Sequence, residues 1–352
     1  MDMQLVYDDI IYSLQKSGGG SVYWTEVIRP SLDEAEHYIY DSSDQNIFCR
    51  QLSIAHRHLL SSRFLFIKRF INPRYKIDRP FLFHSSYFRY CKNPNALNIT
   101  TVHDFTTEKY VGGIHRIIHS VQLKKALRHS QGVICVSENT KKDFESFFPW
   151  YKGTVVAIQN GYAQNDYYFE NLDRTKDILF VGARTSYKRF DLAVRIAQAL
   201  NDCRLVIVGG GELSPDEKAM LDRELPGRYE KKGFVSNNEL RRLYNQAFFL
   251  CYSSEYEGFG IPLLEAQACG CPVVCQRKSS IPEVVADTAV YFDGSDLKEG
   301  IDRIRNLYDK QVYRDYQEKG IENAKRFSWK ISAEKHQEFY RAIWAQYIKN
   351  ED

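Results

Sequence analysis

Two glutamates with seven residues between them bracket the most chemically loaded stretch of the chain, Glu257-Gly258-Phe259-Gly260-Ile261-Pro262-Leu263-Leu264-Glu265. Pro262 suits the first turn of a helix, where a missing N–H costs nothing. Gly258 and Gly260 leave backbone amides uncovered just ahead of that turn. Amides and the positive end of a helix dipole make an anion site suited to a phosphate or diphosphate. Glu265, about one turn inside the helix, can accept two hydrogen bonds from a sugar diol. The stretch reads as a site for a sugar nucleotide. The plainer alternative is a tight loop capping a surface helix.

Other polar clusters also follow apolar runs. Gly182-Ala183-Arg184-Thr185-Ser186-Tyr187-Lys188 comes after the run 178–181. Arg184 and Lys188 would leave that strand end together, and two cations there neutralise the charge building on a departing diphosphate. Gly209-Gly210-Gly211-Glu212 follows the next run and permits a ligand close to the backbone. His103-Asp104 ends a run in the first half. His103 either contacts the transferred sugar and orients an acceptor or is a satisfied strand-end histidine. Gly18-Gly19-Gly20-Ser21 precedes a helical pattern at 22–27 and either wraps a phosphate or turns the chain.

Elements that could position these residues alternate along the chain, as in α/β layers with parallel sheets. Strands are expected at 5–12, 81–84, 98–102, 132–136 and 154–158, with helices at 113–129 and 138–147. The polar stretch 162–177 reads as an interdomain linker. A second series has strands at 178–181, 204–208, 248–252 and 272–275, and helices at 189–201, 214–224, 237–246 and 261–269. From 296 the chain is mostly helical. Phe339, Tyr340, Trp344 and Tyr347 form one apolar stripe that docks this tail against the body. Two doubly wound domains place ligands outside the carboxyl ends of their sheets.

At 352 residues, 43% hydrophobic and 26% charged, the composition is that of a soluble globular protein with room for two domains. No apolar run is long enough to span a membrane. The start, Met1-Asp2-Met3-Gln4-Leu5, lacks the pattern of a signal peptide, so a cytoplasmic location is expected. The eight cysteines lack metal-site spacing and are expected as reduced, core-filling residues. Residues 50–92 hold ten Lys or Arg and one acid, Asp78; this window carries +9 against +3 for the whole chain. Its part at 54–70 mixes large apolar residues with cations, which suits an anionic membrane surface at the inner face of the cell membrane. A solvated helix face is the alternative. No nucleic-acid motif accompanies the charge.

Together these clusters resemble the retaining glycosyltransferases of family 4, which have the GT-B fold. The resemblance covers most of the chain and is strongest from 178 to 292. Glu257 to Glu265 matches the family's E-x7-E signature, and Ser280-Ile281-Pro282-Glu283-Val284 matches the following serine/proline/glutamate loop. Gly182, Arg184 and Lys188 match its phosphate-binding glycine, arginine and lysine, with the arginine one place later than in the commonest version. Gly233-Phe234-Val235 matches the segment whose backbone faces the base. His103-Asp104, 136–140, Asn160-Gly161 and the glycine loop look like the family's first-half strand ends and loop.

The resemblance implies two Rossmann-like domains facing across a cleft, with a C-terminal helix returning to the first. The ranges are 1–165 for the acceptor side, 166–330 for the nucleotide-sugar side and 331–352 for the helix. It implies that Glu265 binds the donor ribose and that Gly258, Phe259 and Gly260 hold the diphosphate or sugar beside Leu264. Glu257 would lie near the transferred sugar, with Arg184 and Lys188 on the leaving nucleoside diphosphate. His103 would line the acceptor side. Gly19, Gly20, Gly182, Gly210, Phe234 and Val235 complete the donor site. Front-face attack, in which the leaving phosphate accepts the acceptor's proton, needs no side-chain base. No Asp-x-Asp occurs. With Arg, Lys and amides supplying positive charge, no metal and no cofactor are expected.

The expected function is transfer of a hexose from a UDP- or GDP-sugar to a glycan acceptor, lipid-linked, in capsule, O-antigen or similar surface polysaccharide synthesis. The partners are that donor, that acceptor and an anionic membrane surface met by 50–92, without nucleic acid. The rival is a non-catalytic scaffold subunit on the same fold. A phosphorylase would need a pyridoxal-phosphate lysine motif, and an oxidoreductase a Gly-x-Gly-x-x-Gly after an early strand.

Overall fold

Short apolar runs, buried on both faces in the sheet centres, build two all-parallel sheets. The computed structural model describes residues 2–351; Met1 and Asp352, the outer ends of the expected ranges, lie outside the described residues. Contacts divide the chain into unit 1, Met1–Asn160 with Trp329–Asp352, and unit 2, Gly161–Ser328.

Unit 1 has seven strands: β1 (Leu5–Asp8), β2 (Glu36–Tyr40), β3 (His56–Leu60), β4 (Phe81–Ser85), β5 (Ala96–Val102), β6 (Ser130–Cys135) and β7 (Thr154–Ala157). Their order is β3-β2-β1-β4-β5-β6-β7. The central β4 and β5 are buried at every position. The C-terminal helix, Trp329–Glu351, belongs to this unit. Its Phe339, Tyr340 and Trp344 are buried. The Tyr340 hydroxyl is 2.7 Å from Nδ1 of His84 on β4, and His336 Nε2 is 2.8 Å from the Tyr23 hydroxyl. Gly132 on β6 makes room for this helix: a Cβ there would lie 2.7 Å from the Phe339 ring.

Unit 2 has six strands: β8 (Asp177–Val181), β9 (Arg204–Val208), β10 (Tyr229–Lys232), β11 (Phe249–Tyr252), β12 (Val273–Gln276) and β13 (Val290–Phe292), ordered β10-β9-β8-β11-β12-β13. Its core joins Leu192, Ile196 and Ala197 of the helix Phe190–Ala199 to Ile178, Leu205 and Ile207. The helices Pro215–Glu224 and Asn237–Gln246 begin at Ser214 and Ser236, whose hydroxyls accept from the third amide of each helix. In each sheet the order reverses beside the unit's first strand, at β1/β4 and at β8/β11. Such a switch point opens a crevice at the carboxyl ends of the strands.

Several expectations need correction. The run at 5–12 is a strand only to Asp8; Ile11–Leu14 is a single helical turn. The stretch 54–70 is not one amphipathic segment but the edge strand β3 and a one-turn helix, Leu65–Lys68. Strands β2, β3, β10 and β13 go unread in the sequence; β10 is Tyr-Glu-Lys-Lys and β13 is only three residues long. The expected linker 162–177 packs into unit 2. Tyr167 is buried with its ring 6.1 Å from that of Tyr244, and Glu170 pairs with Arg241 at 3.0 Å. That packing puts the division at 160/161, ahead of the expected 165/166, and the tail joins unit 1 at Trp329, not 331. No described helix is long and apolar enough to cross a membrane.

Candidate active site

Because β8 ends at Val181 and β11 at Tyr252, the loops leaving them open on unit 2's switch point. The first turns through Ser186–Lys188, with the Lys188 amide donating to the Thr185 carbonyl at 2.9 Å. Across the switch point the Lys188 ammonium is ion-paired with the Glu257 carboxylate, both groups largely buried. The Lys188 ammonium lies 5.4 Å from the centre of the Tyr252 ring. The Ser253 hydroxyl donates to the Lys188 carbonyl at 2.8 Å, fixing one loop against the other.

Two serines pin the glutamate's own loop. The Ser279 hydroxyl donates to the Glu257 carbonyl at 2.6 Å, and the Ser280 hydroxyl lies 3.0 Å from the carbonyls of Glu257 and Phe259. Gly260 then takes φ 104°, open to glycine, and the helix Ile261–Ala268 starts with Pro262 in its first turn. A Cβ at Gly260 would sit 2.9 Å from Leu263 Cδ1. Phe259 and Leu264 are buried. Their side chains are core, so what 258–260 offers a ligand is main chain.

Glu265 sits one turn into that helix, half-buried, and accepts from the Tyr244 hydroxyl at 3.3 Å. Burial pushes its carboxyl up to about 7; the Tyr244 hydrogen bond opposes this and the Asp166 charge adds to it. A carboxylate so poised can exchange its weak tyrosine partner for a diol.

Arg184 does not face this opening. Its side chain is 3% exposed and ion-pairs with Glu217 at 2.9 Å. Its remaining donors go to the carbonyls of Gly209, Gly210, Gly211 and Glu212, at 2.7–3.2 Å. The residue expected to hold a diphosphate clamps the glycine loop instead. The three glycines have φ of 77°, 73° and 75°, which turns their carbonyls toward it. A Cβ at Gly210 would lie 2.6 Å from both Arg184 Nη1 and the Gly182 carbonyl. Gly182, φ 119°, has open space where a Cβ would be. Phe234 and Val235 lie between β10 and the helix Asn237–Gln246; the Phe234 side chain is 87% exposed.

Unit 1 has its own recess at the ends of β4 and β5, a cavity of about 250 Å³. Gly20, Tyr23, Thr101, His103, Asp104 and His119 are among its walls. His103 stands edge-on to the Tyr23 ring at 4.7 Å. Burial pulls its imidazole below the usual range, against the pull of Asp104. Gly19 and Gly20 are not a loop but the first residues of the helix Gly19–Ile28, after Gly18 at φ 150°. Gly20 reaches the cavity wall; Gly19 is exposed.

Sequence reasoning missed two polar clusters. Glu108 accepts from His119 at 2.9 Å and from Ser120 at 3.2 Å; burial raises its carboxyl, but His119, a backbone hydrogen bond and Ser120 together outweigh this and hold it below its ordinary range. At the ends of β1 and β4, buried Asp8 takes the Ser85 hydroxyl at 2.7 Å and Arg89 at 3.4 Å. Asp9 beside it takes Trp24 at 2.6 Å and His37 at 2.8 Å. Two adjacent acids closing an apolar strand were the available signal.

This pair of sheets is the GT-B fold. The structure of HepE from Anabaena in complex with UDP-glucose superposes with a TM-score of 0.74 over 97% of this chain and 100% of that one, at 15% identity. Sucrose-phosphate synthase from Thermosynechococcus elongatus gives 0.71 over 97% and 100%, at 18% identity. Residues 168–327 match the model of the family glycosyl transferases group 1. Among curated relatives, O-antigen chain mannosyltransferase B of Escherichia coli is 40% identical over 98 residues, covering 28% of this chain and 26% of that protein. O-antigen chain mannosyltransferase RfbU of Salmonella typhimurium is 26% identical over 211 residues, 59% of this chain and 60% of that protein. The matched stretches thus span at most about three fifths of these two relatives.

Proposed function

We propose that this chain is a retaining, metal-independent hexosyltransferase. It moves a sugar from a UDP- or GDP-sugar to a lipid-linked glycan acceptor in O-antigen, capsule or related polysaccharide synthesis. The observation that carries the reading is the Lys188–Glu257 ion pair at the β8/β11 switch point, beside the main chain of 258–260 at a helix N-terminus. The UDP-glucose on HepE and the O-antigen names of two relatives support the donor and acceptor classes.

On this reading the donor diphosphate takes Lys188, and the 258–260 amides share its charge. Glu257, released from Lys188, accepts from hydroxyls of the transferred sugar. Glu265 accepts from the ribose diol. The acceptor oxygen bonds to the anomeric carbon on the face the diphosphate leaves, the carbon–oxygen bond to that phosphate breaks, and the phosphate oxygen takes the acceptor's proton. His103, in the unit 1 recess, contacts the acceptor. The acceptor meets the enzyme at an anionic membrane surface, on the inner face of the cell membrane, through cations of 50–92.

The test is a thermal-shift panel of UDP, GDP and their sugars, followed by the anomeric configuration of the product and its yield with a chelator. A ligand that binds only the native state raises the melting temperature in proportion to ln(1 + [L]/Kd). No shift with any nucleotide sinks the reading, and an inverted anomer or loss of yield with chelator removes its finer parts.

A further inference from the structure

Unit 1 leaves two apolar segments uncovered, and they touch. In the first, Phe64, Phe66, Ile67, Phe70 and Ile71 are all exposed, Phe66 by 67%. The second is the helix Gly113–Leu127. Its inward face holds Leu123, Ala126 and Leu127, all buried. Ile114, Ile117, Ile118 and Val121, spaced 3, 1 and 3, form another stripe in water, with Ile114 61% and Ile117 58% exposed. The Gln122 side-chain amide donates to the Arg69 carbonyl at 2.7 Å, joining helix to segment, and Ile118 lies one turn before Gln122 on the same face.

Charge says what covers this surface. Residues 61–77 and 111–128 hold nine Lys or Arg and no acid. Arg63 and Arg69 lie over the rings of Phe64 and Phe70, at 5.0 and 4.6 Å, so each cation stands beside an apolar group. A second copy meeting the same face would bring like charges together. Protein interfaces are also depleted in lysine at their centres. A bilayer with anionic headgroups accepts both kinds of group, apolar side chains among the acyl chains and cations at the phosphates.

We infer that segment 63–71 and the 114–121 stripe form one membrane-docking face for anionic lipid. This deepens the membrane reading above and rests on it for the acceptor. His119, between Ile118 and Val121, lines the unit 1 recess, so a lipid anchored at the stripe would have its headgroup within reach of His103. The docking face itself stands on exposure and charge, independent of any transfer reaction.

The experiment is co-sedimentation of the whole chain with vesicles of phosphatidylcholine alone and with added phosphatidylglycerol. Binding should require phosphatidylglycerol and fall with salt. R63Q/K68Q should weaken it roughly fivefold per charge, and I117S/I118S at least roughly tenfold. Both pairs change exposed or half-buried side chains and should leave the melting temperature and its nucleotide-induced shift unchanged. The face is refuted by no binding to phosphatidylglycerol vesicles, or by binding that survives both pairs. It is also refuted by a dimer in light scattering that I117S/I118S converts to monomer. A nucleotide shift that persists while vesicle binding fails overturns the docking face alone; the reverse overturns the transfer reading alone.

Discussion

Lys188 and Glu257 neutralise each other across the β8/β11 switch point, on loops sixty-nine residues apart in sequence. Without ligand, each is the other's counter-ion in a largely buried setting. On the proposed function a diphosphate arriving at Lys188 would free Glu257 for a hydroxyl donor, so ligand entry would be an exchange of partners, not the filling of an unpaired charge.

Lys188→Ala should therefore cost twice. Transfer should fall by roughly 10²–10³-fold, the scale for losing one stabiliser of developing charge. Glu257, left without its cation, should lower stability by about 1–3 kcal/mol. Glu257→Gln added to Lys188→Ala should recover the stability and none of the turnover. Urea melts and initial rates on the three proteins decide this; a double variant as active as wild type is incompatible with the proposed site.

Arg184→Ala separates clamp from ligand contact. If the guanidinium holds 209–212 as described, the substitution should destabilise unit 2 by about 3–5 kcal/mol, as when one partner of a buried ion pair is removed. Gly210→Ala should act the same way, through the backbone at φ 73° and the 2.6 Å approaches. A melting curve unchanged in Arg184→Ala, with nucleotide affinity lost, would return Arg184 to the diphosphate.

Glu265 makes stability and binding respond to pH in opposite senses. Its carboxyl, raised by burial to about 7, holds a proton more tightly folded than unfolded. Stability from this group is full below the ordinary carboxylate range near 4.5 and is lost as pH rises toward about 7. Nucleotide affinity should instead strengthen through the same window, as the ionised form accepts from the ribose. Melting temperature and UDP or GDP titrations from pH 5 to 8, the working window of this test, check both slopes. Glu265→Gln should flatten them, and slopes that persist in that variant assign them elsewhere.

His336 runs the other way in unit 1. Burial holds its imidazole down at about 4, with the Ser332 carbonyl opposing and His103 adding. A base depressed on folding contributes stability above its unfolded value near 6.5 and loses it as pH falls toward 4. His336→Gln should reduce the acid sensitivity of unit 1. Near-ultraviolet circular dichroism against pH, which reports the packed Tyr23, Trp329 and Tyr340 rings, is the measurement; an unchanged acid midpoint would exclude the histidine.

The alternation of apolar runs with helical periods was enough to read nine of the thirteen strands at least in part, because most of those runs are buried and their composition says so. Strand β10 was illegible because Tyr-Glu-Lys-Lys lies at a sheet edge, where pairing is through backbone and side chains meet water. The 162–177 stretch misled because its anchoring groups are tyrosines and a glutamate, polar in composition yet held by Tyr244 and Arg241. In the candidate site, the placement of Lys188 and Glu257 at the switch point was readable from their positions after strands. Arg184 was not: spacing places a cation on a loop but does not say whether carbonyls or a ligand will claim it. The nearby Glu217 and three left-handed glycines decided that, and no local pattern linked them to Arg184.

All eight cysteines are free and buried, and burial raises the thiols of Cys251, Cys269, Cys271 and Cys275 well above their ordinary range. Thiolate is the reactive form, so these positions are poor targets for alkylating dyes. The native chain is therefore close to a blank background for maleimide labelling. A cysteine at Phe234 and another at Ile117 would accept a fluorophore pair with every native thiol retained, and energy transfer between them would follow the two units in solution as nucleotide and lipid are added.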